Sequence, residues 1–134
     1  MHEIVVKSER KNEIINITKE VEEIVRKESK EKKIDEGICL VYVPHATAAL
    51  TINENWDPSV CEDFIDCLSK IIPEGKWRHD KVDGNGAAHI KAAIIGPSVS
   101  IPFKNGKLLL GTWQGVMLCE FDGPRERTVI VVCK

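Results

Sequence analysis

Residues 98–132 have the sequence SVSIPFKNGKLLLGTWQGVMLCEFDGPRERTVIVV, and this stretch decides the fold class. Short β-rich runs alternate in it with turn residues, as is typical of neighbouring antiparallel strands. Asn105-Gly106 between two apolar runs is a strong β-hairpin signal, and Asp122-Gly123-Pro124 predicts a second turn. The C-terminal third of the chain is therefore predicted to be sheet, with strands over residues 98–103, 107–110, 115–121 and 127–132.

The N-terminal third adds further strands and one helix. Residues 3–7 and 13–17 are predicted to be short strands. Thr18 offers a side-chain oxygen as the N-cap of a helix that runs to about Lys33. Residues 38–43, ICLVYV, are too apolar for a strand with one face in water, so we expect them to form a central strand. Residues 50–53 are a candidate for one more strand.

Two more helices are predicted in the middle of the chain. Asp57-Pro58 combines a capping carboxylate with proline at the first helical position, and apolar residues then recur at helical spacing as far as Pro73. Phe64 lies in this apolar stripe, so Phe64→Ala is expected to cost roughly 3–5 kcal/mol. Residues 73–86 have the composition of a long loop, and the alanine-rich residues 87–95 predict a third helix.

These elements predict an α+β fold: a single domain over residues 1–134, with a largely antiparallel sheet or sandwich and two to three helices packed on it. The 19 basic and 21 acidic residues give a net charge of −2, which removes a whole-molecule electrostatic case for nucleic acid or an anionic membrane but not for a local basic pocket. We find no signal peptide and no apolar run of membrane-spanning length. The five cysteines never occur in CxxC spacing, so we expect reduced thiols in a cytoplasmic protein.

Three histidines share a pattern, because each lies at a predicted element boundary beside small or polar residues. His45 follows the end of the central strand, His79 precedes Asp80 in the long loop, and His89 lies among alanines. Three imidazoles from separate segments can form the open His₃ face of a catalytic zinc-type site. The spacing is not a local motif such as HExxH, and each histidine can equally be a loop residue or a hydrogen-bonded structural group.

Acidic and basic residues near the Asp122-Gly123-Pro124 turn form a second candidate site. Glu120 shares a strand face with apolar residues, so its carboxylate must be paired or lie at an edge. Arg125 and Arg127 are available across the turn, either for a structural salt bridge or for phosphate recognition.

Two glycine-containing segments are candidate binding loops. Asp83-Gly84-Asn85-Gly86 is either a flexible turn or a backbone cradle for phosphate before a helix. Gln114, in the tight turn GTWQG, can present its amide to a ligand. Neither a GxSxG elbow nor a Cys-His pair supports nucleophilic acyl transfer.

The chain resembles the YjbQ family, whose members include proteins described as secondary thiamine-phosphate synthases. The resemblance covers essentially the whole chain and is most specific in two motifs, LLLGTWQG and NxxAHIKAA. The matching stretches are HATAALTINEN (45–55), Asp57-Pro58, His79-Asp80, Asn85, AHIKA (88–92), GPS (96–98), GKLLLGTWQG (106–115) and EFDGPR (120–125). Ala46 departs from the family, which usually has threonine there, whereas Thr47 keeps the neighbouring hydroxyl.

The resemblance implies a β-rich α+β fold, a homotrimer and a histidine-lined polar pocket. It implies a transferase that joins a pyrimidine-methyl diphosphate to a thiazole phosphate and releases diphosphate, so the expected ligand is a small phosphorylated metabolite. The alternatives are a metal-dependent hydrolase of a small phosphorylated substrate and a non-enzymatic trimer that binds a metal or metabolite. We expect catalytic roles for His45, His79, His89, Glu120 and Arg125, and substrate contacts from Thr47, Asp80, Asn85, Gln114 and Arg127.

A divalent metal is the expected cofactor, held by His45, His79 and His89. Imidazoles favour zinc or another transition metal, whereas diphosphate chemistry commonly uses magnesium with carboxylates, so magnesium is the alternative.

Overall fold

Two antiparallel sheets and three α-helices make up the computed structural model, which describes residues 1–134. The first sheet has the strand order β1-β8-β3-β5-β6 and the second has the order β2-β7-β4. In chain order the elements are β1 His2–Lys7, β2 Glu13–Asn16, α1 Thr18–Lys32, β3 Glu36–Tyr42, β4 Ala48–Glu54, α2 Pro58–Ile71, the short 3₁₀ helix Arg78–Lys81, α3 Gly86–Ile95, β5 Ser98–Lys104, β6 Lys107–Leu108, β7 Gln114–Glu120 and β8 Glu126–Cys133. The predicted α+β fold is confirmed, and no helix is both long and apolar enough to cross a membrane.

Two apolar clusters hold these elements together. The larger one lies between the inner faces of the two sheets and includes Val41, Leu118 and Val131, with α1 contributing Val21 and Val25. The smaller cluster lies on the opposite face of the β2-β7-β4 sheet, where α2 and α3 pack; its buried members are Ala49, Leu68, Ile72, Ala87, Ala88, Ala92, Cys119 and Phe121. The β2-β7-β4 sheet is thus covered on both faces.

The five-stranded sheet is covered on only one face. β3 does lie centrally, between β8 and β5, but Ile38, Leu40 and Tyr42 on its outer face are 58%, 38% and 41% exposed. The prediction that this strand has no face in water is therefore wrong for the single chain. Only the alternate residues Cys39, Val41 and Val43 face the second sheet, since side chains alternate along a strand.

The predicted N-cap is confirmed for α2 but is wrong for α1. The Asp57 carboxylate caps α2 by accepting the Ser59 N–H at 2.9 Å, with Pro58 at the first helical position. At α1 the N-cap position belongs to Ile17, which has no side-chain cap. Thr18 Oγ1 instead accepts the Val116 N–H at 2.9 Å and donates to Asn16. Thr18 therefore ties α1 to β7 instead of capping its own helix.

The segment predicted as a long loop is more ordered than its composition indicates. Asp80 accepts the Trp77 N–H at 3.0 Å and the Gly86 N–H at 2.8 Å, and these bonds fold residues 78–81 into a 3₁₀ turn. Nearby, α2 is less buried than its apolar stripe suggests. Leu68 is its one buried residue, and Phe64 is only half-buried, so the expectation that Phe64 anchors α2 in the core is not met in the single chain.

Candidate functional site

Two of the three candidate histidines lie side by side. The rings of His79, in the 3₁₀ turn, and His89, in the first turns of α3, have centroids 4.8 Å apart and are nearly perpendicular. The Asp80 hydrogen bonds that join the 3₁₀ turn to the start of α3 set this approach.

Both histidines line a cavity of about 520 Å³ whose other lining residues are Lys76, Trp77, Arg78, Gly86 and Ile90. The lining holds two cationic side chains, Lys76 and Arg78, and no carboxylate, and just outside it Asp83 Oδ2 lies 3.4 Å from His79 Nε2. Lys76 and Arg78 make the lining basic although the whole chain is slightly acidic, which suits an anionic ligand.

His45 lies apart from that pair, at the end of β3. Its Nε2 accepts the backbone N–H of Thr128 on β8 at 3.0 Å. His45 and His89 border a second cavity of about 320 Å³, whose remaining walls are small and aliphatic: Ala46, Ala48, Ala92, Ala93 and Pro97. Burial lowers the pKa of His45, the positive charges of Arg127 and Arg125 lower it further, and Glu120 opposes them.

The three histidines do not converge on one metal position. No group of three His, Cys, Asp or Glu side chains is placed to hold a metal ion. His79 and His89 are close enough to share a ligand, but the Nε2 lone pair of His45 is already used by Thr128. Of the predicted three ligands, only the His79 and His89 rings are adjacent, and His79 Nε2 lies 3.4 Å from Asp83 Oδ2.

Glu120 and Arg127 form a buried ion pair. Their side chains are 0% and 3% exposed, and the guanidinium meets the carboxylate with two nitrogens, one of them Nε at 2.9 Å. Ser8 Oγ donates to Glu120 at 2.7 Å, and Arg127 also donates to Thr47 Oγ1 at 2.8 Å. Burial alone would raise the pKa of Glu120, but the hydrogen bonds from Arg127, the Asp122 N–H and Ser8 outweigh it and lower the pKa.

These contacts agree with the first of the two interpretations of Glu120, namely that its carboxylate takes part in a structural salt bridge. Glu120, Arg127 and Thr47 are occupied with one another and are buried, so in this conformation they shape the site without reaching into it. We expected their role to be catalysis or substrate binding; their contacts support positioning.

Arg125 has a different partner from the predicted Glu120. Its guanidinium donates to the Asp122 carboxylate at 2.8 Å and to the Asp122 carbonyl at 2.7 Å. Asn85 Nδ2 donates to the same carboxylate oxygen at 2.8 Å. Asp122 therefore joins Arg125, half-exposed in solvent, to the N-terminus of α3. Sequence reasoning missed it because it treated residues 122–124 only as a turn.

Two further predicted contacts take unexpected forms. The Gly84-Asn85-Gly86 segment is not an open phosphate cradle, because the Asp80 carboxylate already accepts the Gly86 N–H, and these backbone bonds lower the pKa of Asp80. Gln114 accepts the Gly111 N–H at 2.8 Å within its own turn. It lies at the opposite end of β7 from Glu120, roughly 20 Å away along the strand, so within one chain it does not join the histidines.

Lys91 is a buried charge that sequence reasoning did not single out. It is 1% exposed on the face of α3 that packs into the smaller cluster. Its Nζ is 3.3 Å from Asn12 Oδ1 and 5.8 Å from the centre of the Phe121 ring, with no carboxylate in salt-bridge range. Burial lowers the pKa of Lys91. The sequence feature that could have indicated this buried charge is the position of the lysine within the alanine-rich run AHIKAA, which is typical of a packed helix face.

Lys91→Met should therefore raise the free energy of unfolding at pH 7 by about 1 kcal/mol or more, because it removes a poorly paired buried charge at similar volume. The folded state holds the Lys91 proton less tightly than the unfolded state does, so wild-type stability rises with pH between the lowered pKa and about 10.5. The advantage of the variant should shrink over that window. Urea denaturation from pH 7 to pH 10 measures it, and a lower midpoint for the variant at pH 7 would contradict the argument.

The turn after Glu120 has no room for a side chain at Gly123. A Cβ there would overlap the carbonyl oxygen of Arg10 and lie 2.7 Å from Ser8 Oγ and 2.9 Å from Glu120 Cγ. Gly123→Ala should lower the free energy of unfolding by about 1–3 kcal/mol through overpacking.

Gly111→Ala is the control for Gly123→Ala, because its Cβ would meet only the flexible Gln114 side chain, at 3.3 Å. Denaturant titration of both variants should show the larger loss for Gly123→Ala. Equal losses would contradict the prediction and would mean that the turn between β1 and β2 moves aside at little cost to admit the added methyl group.

These features define a class: a two-sheet α+β domain whose second sheet carries helices and a basic, histidine-lined cavity. The family model described as "UPF0047 protein YjbQ-like" matches residues 2–134. The chain belongs to this family.

Several relatives cover nearly the whole chain. UPF0047 protein MJ1081 of Methanocaldococcus jannaschii is 45% identical over 126 residues, which are 94% of this chain and 88% of the relative. UPF0047 protein YugU of Bacillus subtilis is 43% identical over 129 residues, covering 94% and 92%. An uncharacterised yjbq/upf0047 protein of Clostridium acetobutylicum has a crystal structure that matches with a TM-score of 0.91 at 43% identity, with both chains fully covered. A YbjQ-like protein of unknown function from Sulfolobus solfataricus also matches with a TM-score of 0.91, at 37% identity over 98% of this chain and 94% of that one.

Proposed function

We propose that the protein is a transferase of the secondary thiamine-phosphate synthase type, acting on small phosphorylated metabolites in the basic cavity. The observation that carries the proposal is the lining of that cavity, where His79, His89, Lys76 and Arg78 come together; the Asp83 carboxylate, 3.4 Å from His79 Nε2, is outside the lining. Its volume of about 520 Å³ falls within the usual range for small-molecule sites. The activity itself comes from the family resemblance.

The reaction would join a pyrimidine-methyl diphosphate to a thiazole phosphate. The bond from the methylene carbon to the diphosphate oxygen breaks, its electron pair leaves with diphosphate, and the thiazole nitrogen forms the new bond to carbon. Such a step needs stabilisation of the negative charge that develops on the leaving group. Lys76 and Arg78 supply donors for this purpose.

We propose His79 and His89 as the protein ligands of a divalent metal, with zinc or another transition metal favoured over magnesium. When bound, the ion would add positive charge beside the diphosphate oxygens. Equilibrium dialysis against Zn²⁺ should show binding that is lost in His89→Ala. Retained stoichiometry in that variant would reject these ligands.

The test of the reaction is formation of thiamine phosphate from the two precursors, with wild type, His89→Ala and His2→Ala at matched purity. His2 is a control because its ring binds Glu28, which is outside the cavity. We expect His89→Ala to lose about 100-fold in rate, because loss of the metal removes one source of charge stabilisation for the leaving group, and His2→Ala to retain the wild-type rate. Equal rates in all three proteins, or none, would reject the synthase proposal.

The same samples separate the other candidates. Metal-dependent release of phosphate from a small phosphorylated substrate would indicate a hydrolase with metal-bound water as the nucleophile. Diphosphate binding without any turnover would indicate a metabolite-binding protein. Neither alternative has an observation of its own that favours it over the transferase, since all three would use the basic cavity.

We also propose that the chain assembles as a homotrimer, in the cytoplasm, without nucleic-acid or membrane partners. The outer face of the five-stranded sheet supports self-association, because Ile38, Leu40 and Tyr42 form an exposed apolar row on it.

Light scattering should give about 45 kDa for the wild type, three times the 15.0 kDa chain. Leu40→Glu should give the single-chain mass, and Lys27→Glu on α1 is the surface control. A Leu40→Glu trimer would show that this face is not the interface.

A further inference from the structure

The end of β3 gives His45 a fixed role in the first sheet. β3 pairs with β8 as far as Tyr42 opposite Ile130, and Pro44 then leads the chain away. Thr128 precedes Ile130 by two residues on β8, and its N–H points to the position beyond the end of β3, where no strand residue remains to accept it. His45 Nε2 accepts that N–H at 3.0 Å and replaces the missing ladder partner.

This hydrogen bond determines where the imidazole carries its proton. A neutral imidazole has one donor nitrogen and one acceptor nitrogen. Because Nε2 accepts from Thr128, the proton is on Nδ1. Nδ1 has no hydrogen-bond partner in the chain and is not among the buried unpaired atoms, so this N–H is available to a ligand.

The cavity beside His45 indicates what that ligand group is. Apart from His45 and His89, its walls are alanines and a proline, which suit an uncharged, apolar group; Arg125 and Arg127 act on His45 through their charges but do not line this cavity. The cationic lining is on the other side of His89, in the basic cavity. His89 borders both cavities.

We propose that His45 is a recognition residue that donates its Nδ1–H to an acceptor atom of an uncharged heterocycle bound in the aliphatic cavity, and that it is not a metal ligand. The β8 backbone holds the ring in this tautomer. The phosphate groups of the same substrate bind on the basic side of His89. This assignment of the two cavities rests on the proposed function, whereas the tautomer of His45 does not.

The tautomer is tested on the intact ¹⁵N-labelled protein by NMR of the histidine ring nitrogens. We expect His45 to carry its proton on Nδ1 and to show a hydrogen bond from the Thr128 amide to Nε2. Addition of Zn²⁺ should leave both nitrogens unchanged. A proton on Nε2, or direct coordination of zinc at either nitrogen of His45, would overturn the proposal.

Recognition is tested by calorimetry with two probes, a phosphate-free hydroxymethylpyrimidine and inorganic diphosphate. His45→Gln retains both an acceptor for Thr128 and an N–H donor, so it should bind the pyrimidine within about 3-fold of wild type, whereas His45→Leu should lose about 10-fold or more. Diphosphate binding should be the same in both variants.

Unchanged pyrimidine binding in His45→Leu, or none by the wild type, would overturn the recognition role. A synthase assay that fails while these results hold would reject the proposed reaction and leave the role of His45 intact.

Discussion

Glu120→Ala should lower the free energy of unfolding by about 3–5 kcal/mol, because it leaves the Arg127 guanidinium buried without its charge partner. The Arg127 side chain is 3% exposed, and Thr47 alone would remain as a side-chain acceptor. Ser8 Oγ also loses the carboxylate that it donates to at 2.7 Å. Guanidinium chloride denaturation at pH 7 measures the loss, and a value below 1 kcal/mol would contradict a buried pair.

The double variant Glu120→Leu/Arg127→Met is the matched control. Replacing both members of a buried pair with apolar residues is often neutral or stabilising, so the double variant should be more stable than Glu120→Ala.

The pH dependence of wild-type stability gives a second check. The pKa of Glu120 is lowered in the folded state, so its contribution is present above the ordinary carboxyl pKa of 4.5 and is lost as the pH falls through the folded-state value. Glu120→Ala should lack this loss on acidification.

Phe121→Ala should cost about 3–5 kcal/mol, and Phe64→Ala less than half as much, although the Phe64 ring packs against the apolar cluster to which Phe121 belongs. Phe121 is 1% exposed and lies between β7 and the helices, whereas Phe64 is half-buried on α2. Urea denaturation of the two variants under identical conditions gives the comparison.

Oligomeric state has to be measured alongside this comparison. If the half-buried face of α2 is covered in an assembly, the cost of Phe64→Ala will depend on protein concentration, whereas the cost of Phe121→Ala will not. Equal, concentration-independent costs would show that Phe64 anchors α2 within the single chain after all.

Local chemistry explains why much of the fold was predictable. Asn105 and Gly106 have φ values of 50° and 75°, and they join β5 to β6 in register, with Lys104 opposite Lys107. Positive φ at both central residues is what a two-residue hairpin of this type requires, and Asn-Gly meets that requirement at low cost. The helix start at Asp57-Pro58 was predictable for the same reason, because the capping carboxylate and the N–H that it accepts are only two residues apart.

The site was less predictable because its contacts join residues distant in sequence. His45 meets Thr128 across 83 positions, and Ser8 meets Glu120 across 112. Spacing within a short motif carries no information about either contact. Glu120 pairs with Arg127 and not with Arg125 because the Arg127 side chain is buried whereas that of Arg125 is exposed. Which arginine is buried depends on how β8 packs in the fold, and the local sequence does not show this.

The Asp80 carboxylate also bears on how the basic cavity holds a ligand. Because Asp80 already occupies the Gly86 N–H at the start of α3, positive charge in the cavity comes from side chains, and Lys76 and Arg78 are exposed to solvent. Charges in that environment are screened by salt over about 8 Å at physiological ionic strength. Capture of a phosphorylated ligand should therefore weaken as ionic strength rises, whereas the buried pair of Glu120 and Arg127 behind the site should be much less sensitive to it.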